Sequence, residues 1–375
     1  MLIVNRFPHF KYVRSSSMAP KCLDLFSGAG GLSLGFLLAG GQPFGAVDFD
    51  DDSIGTFSKN FPMASFTYAT PIEAWTPSKV ECAVDVIIGG PPCQGFSLAR
   101  GKRFVDDPRN SLYKHFIRIV KIVRPEWVVM ENVEGLLSIG EGTVLKQVLE
   151  DFGRVGYELH YKVVNMAKYG VPQSRRRAIF VGNRKGKQFN WPDDQFMKLP
   201  PKKTEREFLI QDKYPFTSVN AAVSDLNLSQ GNYFAHRANS KMRGPRNRDA
   251  NSEPAFTLRV RGDEFALCEK RAISSFIPQH RVEEPTRYSK PKNEFQEIMQ
   301  ERPSWVKTSN MSLVSRSSRP LVSGSRYLTL REQARIQSFP DWFEFIGVRT
   351  SQAKQVGNAV PPLFAAQLFK SLFDA

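Results

Sequence analysis

The chain has 375 residues, 41% of them hydrophobic, enough for one large domain or two smaller ones with a real core. No window approaches the run of about 18 apolar residues that a membrane span needs, and the opening MLIVNRFPHFKYVRSSS lacks an apolar signal core, so a soluble intracellular protein is expected. Lys and Arg outnumber Asp and Glu by 52 to 37, a formal net charge of +15 that suits a polyanion such as nucleic acid, although a basic surface kept soluble by repulsion has the same signature. Cys22, Cys82, Cys93 and Cys268 are scattered, with no CxxC pair and no nearby His cluster, so neither a metal site nor a disulfide framework is indicated.

Residues 1–17, ahead of Met18, read as a flexible basic extension or a mis-assigned start. Lys21 to Phe26 is a short apolar run ending in Ser27-Gly-Ala-Gly-Gly31, after which Leu32, Leu34, Phe36, Leu37 and Leu38 continue in a helical pattern, predicting strand, glycine turn and helix. A dinucleotide fingerprint needs glycine at position 33, where Ser33 stands. What remains is a tight turn that brings backbone close to a ligand, with an acid, Asp48, ending the next predicted strand (Phe44 to Asp48), where it suits a ribose diol. The competing reading is that the glycines serve only helix packing.

Val84 to Ile88 and Trp127 to Met130 are nearly continuous in hydrophobic residues, as strands buried on both faces of a parallel sheet are. Pro91 and Pro92 fix the backbone as it leaves the first of these, which puts the Cys93 thiol at the carboxyl edge of the sheet. The polar and basic stretch from Gln94 to Arg103 argues against a merely buried cysteine and favours the thiolate. Between the two strands Leu112 to Val123 carries Phe116, Ile119, Val120 and Val123 on one helical stripe. Glu131-Asn132-Val133 brings a carboxylate to the same edge, with capping of the following helix as its competing role, and Val144 to Phe152 is a further helix. Gln173-Ser-Arg-Arg-Arg177 precedes the apolar run Ala178 to Val181 and adds guanidinium groups near Glu131 if that strand joins the sheet; a surface charge run is the alternative. The alternation predicts an open, doubly wound α/β domain up to about residue 190.

From Asn190 to about Arg326, Pro, Arg, Asn and Ser are frequent and long periodic runs are few, including the charged Lys241-Met-Arg-Gly-Pro-Arg-Asn-Arg248. This is a second, irregular region. Thr329-Leu-Arg-Glu332 has the spacing of a capping box and predicts a helix to about Ser338, and Pro361-Pro362 opens a last helix carrying Leu363, Phe364, Ala366, Leu368 and Phe369.

Taken in order, Asp24-Leu-Phe-Ser-Gly-Ala-Gly-Gly31, Gly90-Pro-Pro-Cys-Gln-Gly-Phe-Ser97, Glu131-Asn-Val133, Gln173-x-Arg175-x-Arg177, Arg326-x-Leu-Thr-x-Arg-Glu332 and Gln355-Val-Gly-Asn-Ala-Val360 resemble the motifs of the S-adenosylmethionine-dependent cytosine carbon-5 DNA methyltransferases of restriction-modification type. The resemblance covers about residues 21–190 and 325–370. It implies a Rossmann-like catalytic domain from residues 18–190 with 346–375, and a smaller, irregular target recognition domain with its hinge over 191–345. It also implies that S-adenosylmethionine, with no metal, is held at Phe26, Ser27, Gly28, Gly30, Gly31, Leu32 and Asp48, with Pro91, Leu112, Asn358 and Val360 as further contacts and the last helix returning beside the turn. The segment from Ser97 to Asn110 corresponds to a loop that closes over the substrate.

In such enzymes the thiolate, here Cys93, adds to carbon 6 of a flipped-out cytosine, Glu131 relieves charge at ring nitrogen 3, and Arg177, with Arg175 beside it in the motif, orients the base at its carbonyl oxygen. Ser97 and Arg109 are expected at the DNA, and within the recognition region the alternating Pro254 to Arg261 reads as a strand projecting Arg259 and Arg261 together, where phosphate contact is favoured over reading guanine. One departure is Tyr68-Ala-Thr-Pro-Ile72, with Pro71 where the family usually has an acid for the adenine amino group. Double-stranded DNA is the partner implied and a cognate restriction endonuclease a candidate one; a monomeric, cytoplasmic, prokaryotic enzyme that meets the nucleoid through DNA is expected. The alternatives are a transfer-RNA cytosine-5 methyltransferase on the same scaffold, against which Gly95 after Gln94 speaks, and a catalytically silent DNA-binding regulator, against which the retention of Cys93, Glu131 and the arginines speaks.

Overall fold

The computed structural model describes residues 19–92, 112–197, 214–226, 233–236, 246–249, 253–257, 265–268 and 325–375, so the expected extension over 1–17 lies outside it. The described residues fall into two compact units, those within 19–165, 176–192 and 364–375 and those within 166–175 and 193–363.

The first unit is built on a seven-stranded sheet. Its strands are β1 (Lys21–Leu25), β2 (Gln42–Asp48), β3 (Phe66–Ala69), β4 (Val86–Gly89), β5 (Trp127–Val133), β6 (Glu158–Asn165) and β7 (Arg176–Asn183), in the spatial order β3-β2-β1-β4-β5-β7-β6. The first five pair in parallel, and β7 runs antiparallel between β5 and β6. The order reverses between β1 and β4, so the crevice beyond their carboxyl ends is the switch point at which such sheets take ligands. Leu23, Leu25, Ile87, Ile88 and Val129 on β1, β4 and β5 are wholly buried, which is why these segments read as continuous apolar runs. β3 and β6 are the edges and stay half exposed; the four residues of β3 and the mixed sequence of β6 carry no such run, and neither is among the strands predicted from sequence.

Helices α1 (Gly31–Leu38), α2 (Asp51–Asn60), α3 (Leu112–Val123) and α4 (Thr143–Arg154) belong to this unit. The stripe on α3 behaves as its spacing requires: Phe116, Ile119 and Val120 are fully buried in one cluster with Ile87, Val128 and Phe152.

The second unit holds a four-stranded antiparallel sheet ordered Arg246–Asp249, Tyr233–His236, Phe265–Cys268 and Ser325–Tyr327. With three or four residues each, these strands are too short to show a period in a sequence rich in turn residues. The helices here are α5 (Val219–Val223), α6 (Leu330–Ile336) and α7 (Arg349–Asn358). The capping box forms: Glu332 N–H donates to Thr329 Oγ1 at 3.1 Å and Thr329 N–H donates to Glu332 Oε2 at 2.8 Å. α6 stops at Ile336, short of the expected Ser338, because Ser338 itself takes the left-handed conformation with φ +65° and turns the chain.

Every residue of α6 is buried, including its charges, and each charge is answered. Arg331 donates to the carbonyls of Pro340 and Phe343 at 3.1 Å, and Arg335 donates to Asp341 Oδ1 at 2.8 Å and reaches Asp225. Burial opposes the Arg335 charge, but the two carboxylates outweigh it and hold the guanidinium above its ordinary range.

The last helix, α8, spans Pro362–Phe373. Within the sheet unit its Phe369 and Phe373 rings meet Phe36 of α1 edge to face, with centroids 5.0 and 5.1 Å away. Among the described residues no helix is long and apolar enough to cross a membrane.

Candidate active site

β1 runs into Phe26, a non-glycine residue at φ +58°, and then into Gly28 at φ +52° and Gly30 at φ +90°. The two readings of the glycines divide between the residues. A Cβ on Gly30 would lie 2.6 Å from the Phe61 ring and 2.9 Å from that of Phe57, so this position is small for packing against α2. A Cβ on Gly28 would meet nothing within 4 Å, so its backbone lies beside open space at the mouth of the crevice. Its N–H donates to Asp48 Oδ2 at 2.8 Å, and the Asp50 N–H donates to Asp48 Oδ1 at 3.0 Å. The acid at the end of β2 is thereby tied to the turn and held in one orientation. Thr70, after β3, donates its N–H to the Asp48 carbonyl at 2.8 Å, and the following Pro71 is exposed.

Beneath the turn Asp24 is 1% exposed, and Ser33 Oγ donates to its Oδ2 at 2.6 Å. Burial pushes this carboxyl up to about 7, the Ser33 hydrogen bond opposing and the Asp48 charge adding. Ser33, which breaks the dinucleotide fingerprint, therefore serves the acid that opens the motif. The pair stands nine positions apart, and only the packing of α1 on β1 brings them together. Around the turn Ser27, Gly31 and Leu32 are buried and Phe26 is half-buried. Burial pushes the Cys22 thiol well up, and Cys82 is also raised, first by burial and then by Glu81, so neither is a ready thiolate.

On the neighbouring strands the arrangement is tighter. Glu131 pairs across the β5–β7 ladder with Ile179, and Val133 pairs with Arg177, which makes Glu131 and Arg177 diagonal neighbours on one face. Long side chains reach that far, and Arg177 Nε stands 2.8 Å from Glu131 Oε1, both side chains nearly buried. A Cβ on Gly90 would lie 3.1 Å from Glu131 Oε2, so glycine leaves that carboxylate room. Asn132, buried beside it, donates its amide to the Pro91 carbonyl at 3.0 Å while its own Oδ1 accepts from the Val133 N–H at 2.9 Å. β5 therefore fixes the path by which the chain leaves β4 toward Cys93. Sequence reading had no role for Asn132; its place next to Glu131 was the available signal.

Arg176, between the two motif arginines, points elsewhere and pairs with Glu134 through two hydrogen bonds of 2.7 and 2.6 Å. Arg175 belongs to the second unit, is 2% exposed, and donates from Nη1 to the Gly357 carbonyl at 3.0 Å and from Nη2 to the Asn358 carbonyl at 3.3 Å. Its guanidinium serves the backbone that presents Asn358, whose side chain is exposed, and Val360, which is buried. Pro91 is buried, and Leu112 begins α3, partly buried against the core of the sheet unit. Cys93, Ser97, Arg109, Arg259 and Arg261 lie outside the described residues.

Comparison with known proteins adds four findings. The family model for C-5 cytosine-specific DNA methylase matches residues 20–374. The chain is similar to the type II methyltransferase M1.HphI of Haemophilus parahaemolyticus, 34% identical over 361 residues that cover 93% of this chain and 86% of that one. It is likewise similar to M.DdeI of Desulfomicrobium norvegicum, 35% identical over 378 residues that cover 92% and 86%. Among solved structures it shares the fold of the Entamoeba histolytica methyltransferase EhMeth, with a TM-score of 0.58 at 16% identity over 95% of this chain and 98% of that one.

Proposed function

The chain belongs to the C-5 cytosine-specific DNA methylase family and is a DNA cytosine-5 methyltransferase, and on that premise we propose how its residues carry the reaction. Carbon 5 of cytosine is too electron-poor to take a methyl group directly. Addition of the Cys93 thiolate to carbon 6 makes it nucleophilic by pushing an electron pair through the ring. Glu131 meets that charge at ring nitrogen 3 with a shared proton, and Arg177 offers its fixed donor fork to the carbonyl oxygen. S-adenosylmethionine, the donor that the family implies, would supply an electrophilic methyl group to carbon 5, its sulfonium sulfur keeping the electron pair of the broken bond and leaving as a thioether. Loss of the carbon-5 proton then returns an electron pair to the ring and expels Cys93.

The observation that carries this reading is the joint placement of Glu131 and Arg177 at 2.8 Å and of Asn132 on the Pro91 carbonyl, two residues ahead of Cys93. The residues at the turn fit the donor: Gly28 leaves open space, and the Asp48 carboxylate, oriented by two N–H groups, suits a ribose diol. We carry Asn358, Val360, Leu112 and Pro91 as further cofactor residues, and Arg175 as the side chain that sets the Gly357–Asn358 backbone.

The target base must leave the duplex stack to reach such a site, at a cost of a few kcal/mol. In this reading residues 191–345 recognise the DNA, with Arg259, Arg261, Ser97 and Arg109 at the phosphates and the extruded strand. A cognate endonuclease is the candidate partner. The test is transfer of a labelled methyl group from S-adenosylmethionine to duplex DNA by the purified protein. Cys93→Ala is expected to abolish labelling while DNA binding survives. Labelling of transfer RNA but not DNA would overturn the substrate, and full activity of Cys93→Ala would overturn the mechanism.

A further inference from the structure

α6 ends at Ile336 and the chain turns at Ser338, which leaves the Gln337 side chain wholly buried at the start of the turn. Its amide serves two segments far away in sequence. Oε1 accepts from Gln173 Nε2, and Nε2 donates to the Ala359 carbonyl. A backbone carbonyl only accepts, so the atom facing Ala359 must be the nitrogen, which leaves the oxygen for Gln173 and fixes the amide in one orientation. Two residues after Gln173, Arg175 donates to the carbonyls of Gly357 and Asn358. Three successive carbonyls, where α7 ends, are thus held by two buried side chains. On the far side of the segment Leu363 N–H donates to Ser338 Oγ at 3.1 Å, so 359–363 hangs from the 337–338 turn at both ends.

We propose that Gln337 is a positioning residue for cofactor binding, holding Ala359, and with it the neighbouring Asn358 and Val360, in register with the Gln173–Arg175 segment. This rests on the reading that Asn358 and Val360 meet S-adenosylmethionine. A backbone carbonyl that loses its donor relaxes toward another partner, and the segment moves with it.

The test is donor binding measured without DNA by titration calorimetry. Gln337→Met removes both hydrogen bonds at nearly constant volume and should raise the dissociation constant for S-adenosylmethionine about tenfold, with kcat at saturating donor and DNA affinity within about twofold of the parent. In Gln337→Glu the carboxylate accepts from Gln173 but has no proton for Ala359; protonation restores the donor, so donor affinity relative to the parent should recover as pH falls. Gln333→Met loses a hydrogen bond to the Leu328 carbonyl from the same helix and should lower the melting temperature while leaving donor binding intact. Unchanged donor binding in Gln337→Met, or an equal loss in Gln333→Met, would overturn the proposal. Asn358→Ala, run in parallel, separates the two ways to fail. Unchanged binding there removes the cofactor reading itself, whereas loss there with none in Gln337→Met breaks only the link through Gln337.

Discussion

Glu131 and Arg177 are held by each other before any substrate arrives, 2.8 Å apart and with little solvent access. Groups set in place beforehand can meet a charge that develops only in the transition state. Glu131→Gln keeps the shape but loses the carboxylic proton, so kcat should fall by about 10²- to 10⁴-fold while DNA affinity changes little. Single-turnover methylation beside a DNA-binding titration checks this. Arg177→Lys keeps the charge but not the fork, and the same assay should report a comparable loss.

Asp24 makes a different prediction. Its carboxyl is raised by burial from an ordinary 3.8 to about 7, so the folded chain keeps a proton that the unfolded chain releases. Stability from this group is complete below the unfolded value, declines as pH rises, and has gone above about 7, a loss of at most about 4 kcal/mol. Asp24→Asn cannot ionise, so its melting temperature relative to the parent should climb between pH 4 and 7. A constant difference across that range would contradict the assignment.

These two acids also mark how far sequence reading reaches. Glu131 was identifiable because it ends an apolar run beside a motif, but Ser33 looked like a broken fingerprint because its partner Asp24 is joined to it only by tertiary packing. Arg175 and Arg177 share one motif and one residue type, yet their guanidinium groups go to Gly357–Asn358 and to Glu131. Arg177 lies within β7 and Arg175 just ahead of it, and that boundary is not written in a motif.

Among elements, those buried on both sides were readable and those at edges were not. β1, β4 and β5 announced themselves by continuous apolar residues, whereas β3 and β6 close the two ends of the sheet half exposed, β3 too short and β6 too mixed to show such a run. The short strands of the second unit carry too few residues for a period to emerge. α6 was readable from its start signal alone, since its interior is polar and yet buried. Thr329→Ala removes one half of the capping box and should cost about 1 kcal/mol, read as a lower denaturation midpoint with unchanged slope.

For the whole molecule, the net charge of +15 suits the DNA substrate that the family implies. Lys and Arg that neutralise phosphates release counterions, so DNA affinity should fall about 10³-fold or more between 50 and 200 mM salt if about six phosphates are met. Donor binding should stay nearly constant over the same range. A flat DNA titration would mean that the excess of basic residues only keeps the protein soluble.

The account stands or falls on a bond between Cys93 and a cytosine. Duplex DNA carrying 5-fluorocytosine places fluorine where the departing proton should be, so the ring cannot recover and the cysteine cannot leave. Peptide mass mapping after incubation with this DNA and S-adenosylmethionine should find a nucleotide adduct on the peptide containing Cys93. No adduct, or one on any other residue, would contradict it.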